Sequence, residues 1–486
     1  MLAANLAATL VAAAATDSVY QVDEYFQVVE WASHALGRTP ADQLTWEHRA
    51  RIRPWTQPAA YALLGRAAEA AGIRDPFALL RIFRIATGLF SWVALAVFLV
   101  AARQWFPDER WRRALYPTVG LAAFVPYLAV RTSSETASSA FLLLARALLA
   151  GRASGARGPP EPAWKPLLAG VALGLGFDCR YQLGFAALGI VLHAARSARP
   201  WWRHALPLAA GLAVAVGLGL AIDAWGYGAW GLTPWSYLRA NVLEGKASHF
   251  GTLPFVAYPF LFAIWFPPLG LLLVFALVAL WWRFPRHVLT WTTLPFLVGH
   301  SLIAHKEIRF MIPLLVPALT GLVLVASDPG EGRIGALARW LGRAWSAPAM
   351  RAVNAAMLVA LCVLPSPDNL GIQRYVLEHA GDPVRWLGFS DPRLVHRLPA
   401  PFVSPDAPAL MLLGTADDLR RELGSGAYPA LVLGKFPLPP GAEELLRASG
   451  QRVFSTLPPW LARVNLAHWL DRADLYVVYR VDRPAR

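Results

Sequence analysis

Long apolar runs separated by short polar segments fill the first three quarters of the chain. A helix that crosses a lipid bilayer needs about 20 apolar residues, so runs near this length predict membrane-spanning helices. About eleven candidates occur, several of them short, at 2–15, 82–102, 114–130, 136–150, 166–178, 181–195, 204–222, 256–282, 288–304, 310–327 and 349–365. The pattern therefore predicts an α-helical polytopic membrane protein.

The pattern changes at about residue 366, where short alternating runs replace the long apolar ones. Three runs are predicted as strands, PALMLLG (408–414), YPALVLGKF (428–436) and DLYVVYRV (474–481). Two others are predicted as capped helices, ADDLRRELG (416–424) and PGAEELLRASG (440–450). We therefore predict a membrane domain over residues 1–365 and a small C-terminal α/β domain over residues 366–486.

Composition agrees with a membrane protein, because 56% of the residues are hydrophobic and only 16% are charged. The net charge is +14, but the basic residues concentrate in short loops, and no nucleic-acid-binding motif accompanies them. Loops 103–113, 151–165, 196–203, 283–287 and 328–348 hold 15 Lys and Arg in 60 residues. The alternate loops 16–81, 131–135, 179–180, 223–255 and 305–309 hold 13 in 111 residues. The first set is therefore predicted in the cytoplasm, and the second set, with the C-terminal domain, on the opposite side.

Several classes of enzyme leave no trace in the sequence. The two cysteines, Cys179 and Cys362, form no metal-binding pattern and no disulfide framework. Walker A, GxSxG, HExxH and Asp-x-Asp motifs are missing, so a soluble nucleotide donor held by a metal is not indicated. We expect neither a metal nor another cofactor.

The stretch AHKEIRFMIP (304–313) is unusual, because it places ionisable groups between two apolar runs. Lys306 and Arg309 of this stretch, with Arg131 and Arg180, lie at span ends on the side that is poor in basic residues. Such cations either extend to lipid headgroups or converge on an anion at the membrane surface, such as a lipid phosphate.

The first outer loop, residues 16–81, supplies carboxylates just after the first span. Asp23 and Glu24 in QVDEYFQ either act as a general base on a hydroxyl or only begin a solvated helix. Glu135 and Asp223, at other outer span ends, are interpreted as cap or interface residues.

Four segments occur in an order that resembles a known family: DEYFQVVE (23–30), LTWEHRARIRPWTQP (44–58), DAWGYGAWGLTPWSYLRANV (223–242) and HKEIRF (305–310). They resemble the dolichyl-phosphate-mannose-dependent mannosyltransferases of N-glycan and GPI-anchor assembly, glycosyltransferase family 22 of the GT-C superfamily. The resemblance covers about residues 17–313, and HKE-x-RF is its most specific part. Gln21 and Val22 stand where the family usually has His-Pro.

The resemblance implies a GT-C fold with a large first outer loop. It implies transfer of mannose, or a related sugar, from a polyprenyl-phosphate donor to a glycan or glycolipid acceptor, with inversion at the anomeric carbon. The base is expected to be Asp23, with Glu24 beside it. Residues expected to bind the donor phosphate are the basic side chains at outer span ends, namely His305, Lys306, Arg309, Arg180 and Arg131.

The abundance of Ala, Arg, Gly and Pro is typical of a bacterial protein, which places the chain in an inner membrane with its active site on the periplasmic or outer side. A eukaryotic origin would place it in the endoplasmic reticulum. Two alternatives remain at this stage. One is another GT-C enzyme, such as a protein O-mannosyltransferase, and the other is a transporter of lipid-linked sugars.

Overall fold

A computed structural model describes residues 1–15, 18–152, 162–197, 200–266, 269–363, 368–389, 410–425, 429–456 and 475–482. Most of these residues are helical. The α-helices in chain order, α1 to α22, are Leu2–Ala14, Val22–Glu24, Glu30–Ala35, Trp46–Arg49, Thr56–Ala70, Pro76–Ala102, Glu109–Leu115, Phe124–Ala129, Ser134–Leu148, Trp164–Cys179, Gly184–Ser197, Trp202–Tyr227, Thr233–Leu238, Ala257–Trp265, Leu269–Arg283, Val288–Leu302, Ile312–Ser327, Gly332–Ser346, Pro348–Val363, Gly371–Glu378, Ala416–Gly424 and Ala442–Ser449.

Three helical segments of the described chain are long and apolar enough to cross a membrane, namely Pro76–Trp105, Trp202–Tyr227 and Ile308–Ser327. A fourth is reached if α18 and α19, which meet at 56°, count as one span. Other apolar helices, such as α1 and α15, are shorter than this criterion requires. The larger number of about eleven spans therefore stays a prediction.

Two predicted spans are interrupted in the structure. The run 256–282 was predicted as one helix, but α14 ends at Trp265 and α15 begins at Leu269, with Pro267 and Pro268 in the sequence between them. Proline lacks the backbone N–H that continues a helix, which explains the break. The run 114–130 is likewise divided into the end of α7, a π-helical turn at Tyr116–Gly120, and α8.

Helices α10 and α12 approach each other closely along a face of small residues. A Cβ atom added to Gly170 of α10 would lie 2.0 Å from the carbonyl oxygen of Leu208, and one added to Gly211 of α12 would lie 2.0 Å from that of Leu167. Glycine at these positions lets two backbones pack without side chains between them, as is common between membrane helices.

The loops predicted on the side opposite the cytoplasm meet at one end of the helical bundle. Gln57 Nε2 donates to the Thr132 carbonyl oxygen at 3.0 Å, which joins the first loop to loop 131–135. The Trp55 amide donates to Asp223 Oδ1 at 2.7 Å, and the Leu253 amide donates to the Ala304 carbonyl oxygen at 3.0 Å. This end, called the loop end below, carries all the sequence-predicted site residues.

The C-terminal region contains a five-stranded mixed sheet. Strands β3 to β7 are Arg385–Phe389, Leu410–Leu413, Ala430–Phe436, Gln451–Ser455 and Leu475–Val481. They lie in the order β4-β3-β5-β7-β6, with β3 parallel to β4 and β5, and β7 antiparallel to β5 and β6. The predicted strands and capped helices are confirmed wherever these residues are described, and β3 and β6 are additional.

Thr415 begins α21 with a capping box, because its hydroxyl accepts from the Asp418 amide while Asp418 accepts from the Thr415 amide. A second, two-stranded pairing joins the C-terminal region to the first outer loop. β1 (Ser18–Val19) lies antiparallel to β2 (Asp368–Asn369), only a few residues before Asp23.

Candidate active site

Asp23 and Glu24 are neighbours in the chain but face different surroundings. Both lie in the short helix α2, which continues into a π-helical turn at Tyr25–Val29. The Asp23 side chain is 29% exposed, whereas Glu24 is buried. The two carboxylates therefore do different work.

Glu24 holds the start of the loop in place. Its Oε1 accepts a hydrogen bond from the Tyr20 amide, and its Oε2 lies 3.5 Å from the Thr132 hydroxyl. Burial raises the pKa of Glu24, while the charges of Arg131 and Arg84 oppose this rise. The contacts are those of an anchor beneath Asp23, and Glu24 remains a predicted catalytic residue.

Arg309 is the cation that touches Asp23. Its guanidinium is buried, and Nη2 donates to Asp23 Oδ2 across 286 residues of sequence. Nε lies 2.7 Å from Glu307 Oε2 and Nη2 lies 2.9 Å from Glu307 Oε1, so Glu307 grips the guanidinium with both oxygens. Arg309 thus links Asp23 to the 305–309 turn and fixes the position of its carboxylate.

His305 completes this chain of contacts from the other side of Glu307. Its Nε2 lies 2.9 Å from Glu307 Oε1, and its Nδ1 lies 2.9 Å from the Gly251 carbonyl oxygen. Both partners only accept hydrogen bonds, which favours an imidazolium with two N–H groups. The hydrogen bond to Glu307 accordingly raises the pKa of His305. Burial raises the pKa of Glu307, but His305 and Arg309 outweigh it and bring this pKa down to about 2.

Lys306 points away from Asp23 into backbone oxygens. Its Nζ donates to the carbonyl oxygens of Leu253 at 2.9 Å and Ile303 at 2.5 Å. Burial lowers the pKa of the Lys306 ammonium. In this arrangement Lys306 fastens the 303–306 turn to the neighbouring loop, and its contact with a donor phosphate stays a prediction.

Arg180 and Arg131 are both buried, but only Arg180 lines a cleft. Arg180 Nη1 lies 3.0 Å from Glu135 Oε1 and donates to the Ser134 hydroxyl at 3.1 Å. Arg131 Nε donates to the Tyr127 carbonyl oxygen at 3.2 Å, and its guanidinium stacks 3.9 Å from the centre of the Tyr127 ring. Glu135 and Asp223 are interface residues as predicted, because they tie α9 to Arg180 and α12 to Trp55.

The cleft lined by Arg180 begins one helical turn beyond Asp23, at Gln27. It is narrow, about 20 Å³, and its lining is polar and aromatic, with Gln57, Ser134, Gln182 and Tyr237 among the side chains. Its charged lining residues are two cations, Arg53 and Arg180, with no carboxylate from the described part of the chain.

Arg53 was not among the residues predicted from the sequence. Its guanidinium lies 5.5 Å from the Tyr237 ring and donates to Glu47 Oε1, at 3.0 Å from Nε and 2.7 Å from Nη2. The negative charge of Asp23 is one of the influences that raise the pKa of Arg53, after that of Glu47. Arg53 lies in the stretch 44–58 that carried the family resemblance, and that position was the available signal.

Among the residues that the structure describes, no three His, Cys, Asp or Glu side chains are grouped so as to hold a metal ion. The site is thus a carboxylate beside a cationic, polar cleft, at one end of an apolar helical bundle. These features define a membrane-embedded protein suited to act on a substrate with an anionic group.

Comparison with known proteins identifies the family. Residues 1–328 match the Alg9-like mannosyltransferase family, and the chain belongs to it. GPI mannosyltransferase 3 of Yarrowia lipolytica is 31% identical over 324 residues, which are 63% of this chain and 57% of that protein. Human GPI alpha-1,2-mannosyltransferase 3 is 26% identical over 60% of this chain and 51% of its own length. A probable Dol-P-Man:Man(7)GlcNAc(2)-PP-Dol alpha-1,6-mannosyltransferase of Schizosaccharomyces pombe is 38% identical over 20% of this chain and 18% of its own length. The match thus spans only about half the length of the two GPI relatives.

The fold is shared with a solved structure of lower sequence similarity. ArnT from Cupriavidus metallidurans, in its apo state, superposes with a TM-score of 0.52 over 98% of this chain and 96% of that chain, at 15% identity. The same protein bound to undecaprenyl phosphate gives a TM-score of 0.50. This similarity confirms the GT-C fold predicted from the sequence.

Proposed function

We propose that this protein transfers mannose, or a related sugar, from a polyprenyl-phosphate donor to a glycan or glycolipid acceptor. The observation that carries the proposal is the partly exposed carboxylate of Asp23, fixed by Arg309 beside a cleft whose charged lining residues are cations. The names of the relatives support it, since one is a Dol-P-Man-dependent enzyme and others are GPI mannosyltransferases.

The reaction requires a base and a site for an anion. Asp23 accepts the proton of an acceptor hydroxyl as that oxygen forms a bond to the anomeric carbon of the sugar. The bond between this carbon and the phosphate oxygen breaks on the opposite face, and its electron pair leaves with the polyprenyl phosphate. Attack from that face inverts the anomeric carbon, and nearby cations stabilise the departing phosphate.

Arg180 and Arg53 are the cations that line the cleft, and in this proposal they bind the donor phosphate. Arg309 positions the base, while His305 and Lys306 brace the turn that carries Arg309. The transfer is proposed to need no metal.

The proposed orientation follows from the distribution of charge. The loops at the loop end hold 13 Lys and Arg in 111 residues, against 15 in 60 for the opposite loops, so the loop end faces away from the cytoplasm. For a bacterial protein with about eleven spans in the inner membrane, the active site opens to the periplasm or outer side.

The test is transfer of labelled mannose by the purified protein from polyprenyl-phosphate mannose to glycolipid and glycan acceptors. Asp23→Asn is expected to lower turnover at least 1,000-fold while the protein remains folded and monodisperse, because a general base alone contributes on the order of 10²–10⁴ in rate. Glu24→Gln, which changes the neighbouring carboxylate, serves as the matched variant and should retain more turnover than Asp23→Asn.

Unchanged turnover in Asp23→Asn would exclude Asp23 as the base. Turnover with a nucleotide sugar alone would exclude the lipid-phosphate donor. Movement of the lipid-linked sugar across a vesicle membrane without a new glycosidic bond would identify a transporter instead.

A further inference from the structure

A second cavity lies at the end of the bundle opposite Asp23, between α7, α17, α18 and α19. It measures about 790 Å³, within the range of about 300–1,000 Å³ that is usual for ligand sites. Helix α17 begins beside Arg309 and lines the cavity only with its last turns, at Leu322, Val323 and Ala326. Since a helix rises about 1.5 Å per residue, roughly 20 Å of helix separate the two sites.

The lining combines positive charge with an apolar wall. Four arginines contribute to it, Arg110, Arg339, Arg343 and Arg351. The other lining residues are mostly aliphatic or aromatic, and none of the described residues adds a carboxylate to the wall. An environment of this kind suits a ligand with an anionic head and a hydrocarbon tail.

These arginines lack acidic partners within the described residues, in contrast to their neighbours. Glu109 lies next to Arg110 in sequence, but it pairs with Arg103, Arg112 and Arg113 instead. Arg339 Nη1 donates to the Gly330 carbonyl oxygen at 3.0 Å, which leaves its charge uncompensated. The positive charge around the cavity is therefore available to an external anion.

Specific hydrogen bonds hold the cavity open between its walls. The Trp345 indole N–H of α18 donates to the Thr118 hydroxyl at 3.0 Å. Asn354 of α19 donates from Nδ2 to the Leu121 carbonyl oxygen at 2.7 Å and accepts from the Ala123 amide at 2.9 Å. Because these bonds fix α18 and α19 to the segment before α8, the cavity is a defined part of the fold.

We propose that this cavity binds one anionic phospholipid of the surrounding bilayer, with its phosphate among the arginines and an acyl chain along the apolar wall. The amphipathic helix α18 supports this placement, since it buries Ala338 and Leu341 while Arg339 and Arg343 stay exposed beside the opening. This end also carries the more basic loops, which favours the cytoplasmic leaflet. A bare phosphate ion would leave the apolar wall without a partner.

Native mass spectrometry of the full-length protein in detergent tests the proposal, with phosphatidylglycerol and phosphatidylcholine of the same acyl chains as probes. The wild type should bind one phosphatidylglycerol at least tenfold more tightly than phosphatidylcholine. Arg339→Gln/Arg343→Gln/Arg351→Gln should reduce this affinity at least tenfold. The matched control Arg203→Gln/Arg286→Gln/Arg333→Gln removes three arginines at the same end that do not line the cavity, and it should bind as the wild type does.

A further variant separates a cavity site from diffuse attraction to the protein surface. Ala355→Phe keeps all four arginines but fills the lining at Ala355, and it should also weaken phosphatidylglycerol binding at least tenfold. Equal binding of the two lipids, an equal loss in the control variant, or full retention by Ala355→Phe would overturn the proposal. If the triple cavity variant does not fold, Ala355→Phe alone decides the question.

Discussion

At the candidate active site each charged side chain has a defined partner, and these pairings distribute the work among residues of the same type. Arg309 is committed to Asp23 and Glu307, which makes it a positioning residue for the base. Arg180 is held by Glu135 at the edge of the cleft, where a donor phosphate can reach its guanidinium. The two arginines therefore differ in role, although both were predicted as phosphate ligands.

This difference predicts the effect of changing Arg180. Arg180→Lys keeps the charge but loses the planar guanidinium that can bind two oxygens at once. We expect the KM for the lipid-phosphate donor to rise at least tenfold, equivalent to about 1.4 kcal/mol, while kcat changes less. The measurement is initial rate against donor concentration in a detergent of fixed micelle content.

Arg131→Lys is the matched control, because Arg131 is also buried but stacks on Tyr127 outside the cleft. Its donor KM should stay within twofold of the wild-type value. A similar rise in both variants would show that the loss comes from general destabilisation.

Sequence reasoning found the residues on this side of the membrane but not their pairing. Charge asymmetry between loops placed Asp23 and Arg309 on one side, and the structure shows them in contact. The bond between Arg180 and Glu135 was beyond prediction, because it depends on how α9 and α10 pack. Lys306 was expected to face a phosphate, and nothing in its neighbours along the chain indicates that two carbonyl oxygens occupy its ammonium.

At the scale of elements, the close approach of α10 and α12 depends on a face of glycines. Gly170 and Gly174 are four residues apart on α10, and Gly211 and Gly219 lie on one face of α12. The carboxylate of Asp178 lies 2.3 Å from where a Cβ of Gly219 would stand. The packing of these helices therefore positions the outer ends of both, where Arg180 and Asp223 lie.

Gly211→Ala should separate these helices and destabilise the protein by about 1–3 kcal/mol, because the new methyl group would overlap backbone atoms of α10. Gly217→Ala is the control on the same helix, since nothing lies within 4 Å of its added Cβ. The control should be neutral or slightly stabilising, because alanine favours helix more than glycine does.

Thermal unfolding of both variants in the same detergent provides the measurement. A lower melting temperature for Gly211→Ala alone confirms the close contact, and equal shifts would contradict it. The sequence predicted these two helices from their apolar runs, but hydropathy carries no information on which glycines face a neighbour.

At the scale of the whole molecule, the C-terminal region is attached to the loop that carries the candidate base. Besides the pairing of β1 with β2, Leu370 is buried in a cluster with Val19, Tyr25 and Phe77. The sequence predicted a C-terminal α/β domain on the same side as the first loop, but a two-residue strand pair leaves no recognisable pattern. The contact joins segments about 350 residues apart, which local periodicity does not report.

We predict that Leu370→Asp loosens the base without unfolding the protein, because a carboxylate at this buried position is unfavourable in an apolar cluster. Hydrogen–deuterium exchange should become faster across residues 18–29, and turnover should fall while the donor KM changes little. Leu412→Asp is the control in the same domain, since Leu412 is 47% exposed on the edge strand β4. Unchanged exchange across 18–29 in Leu370→Asp would show that the C-terminal region does not hold Asp23 in place, and its role would then have to lie elsewhere, such as in contact with the acceptor.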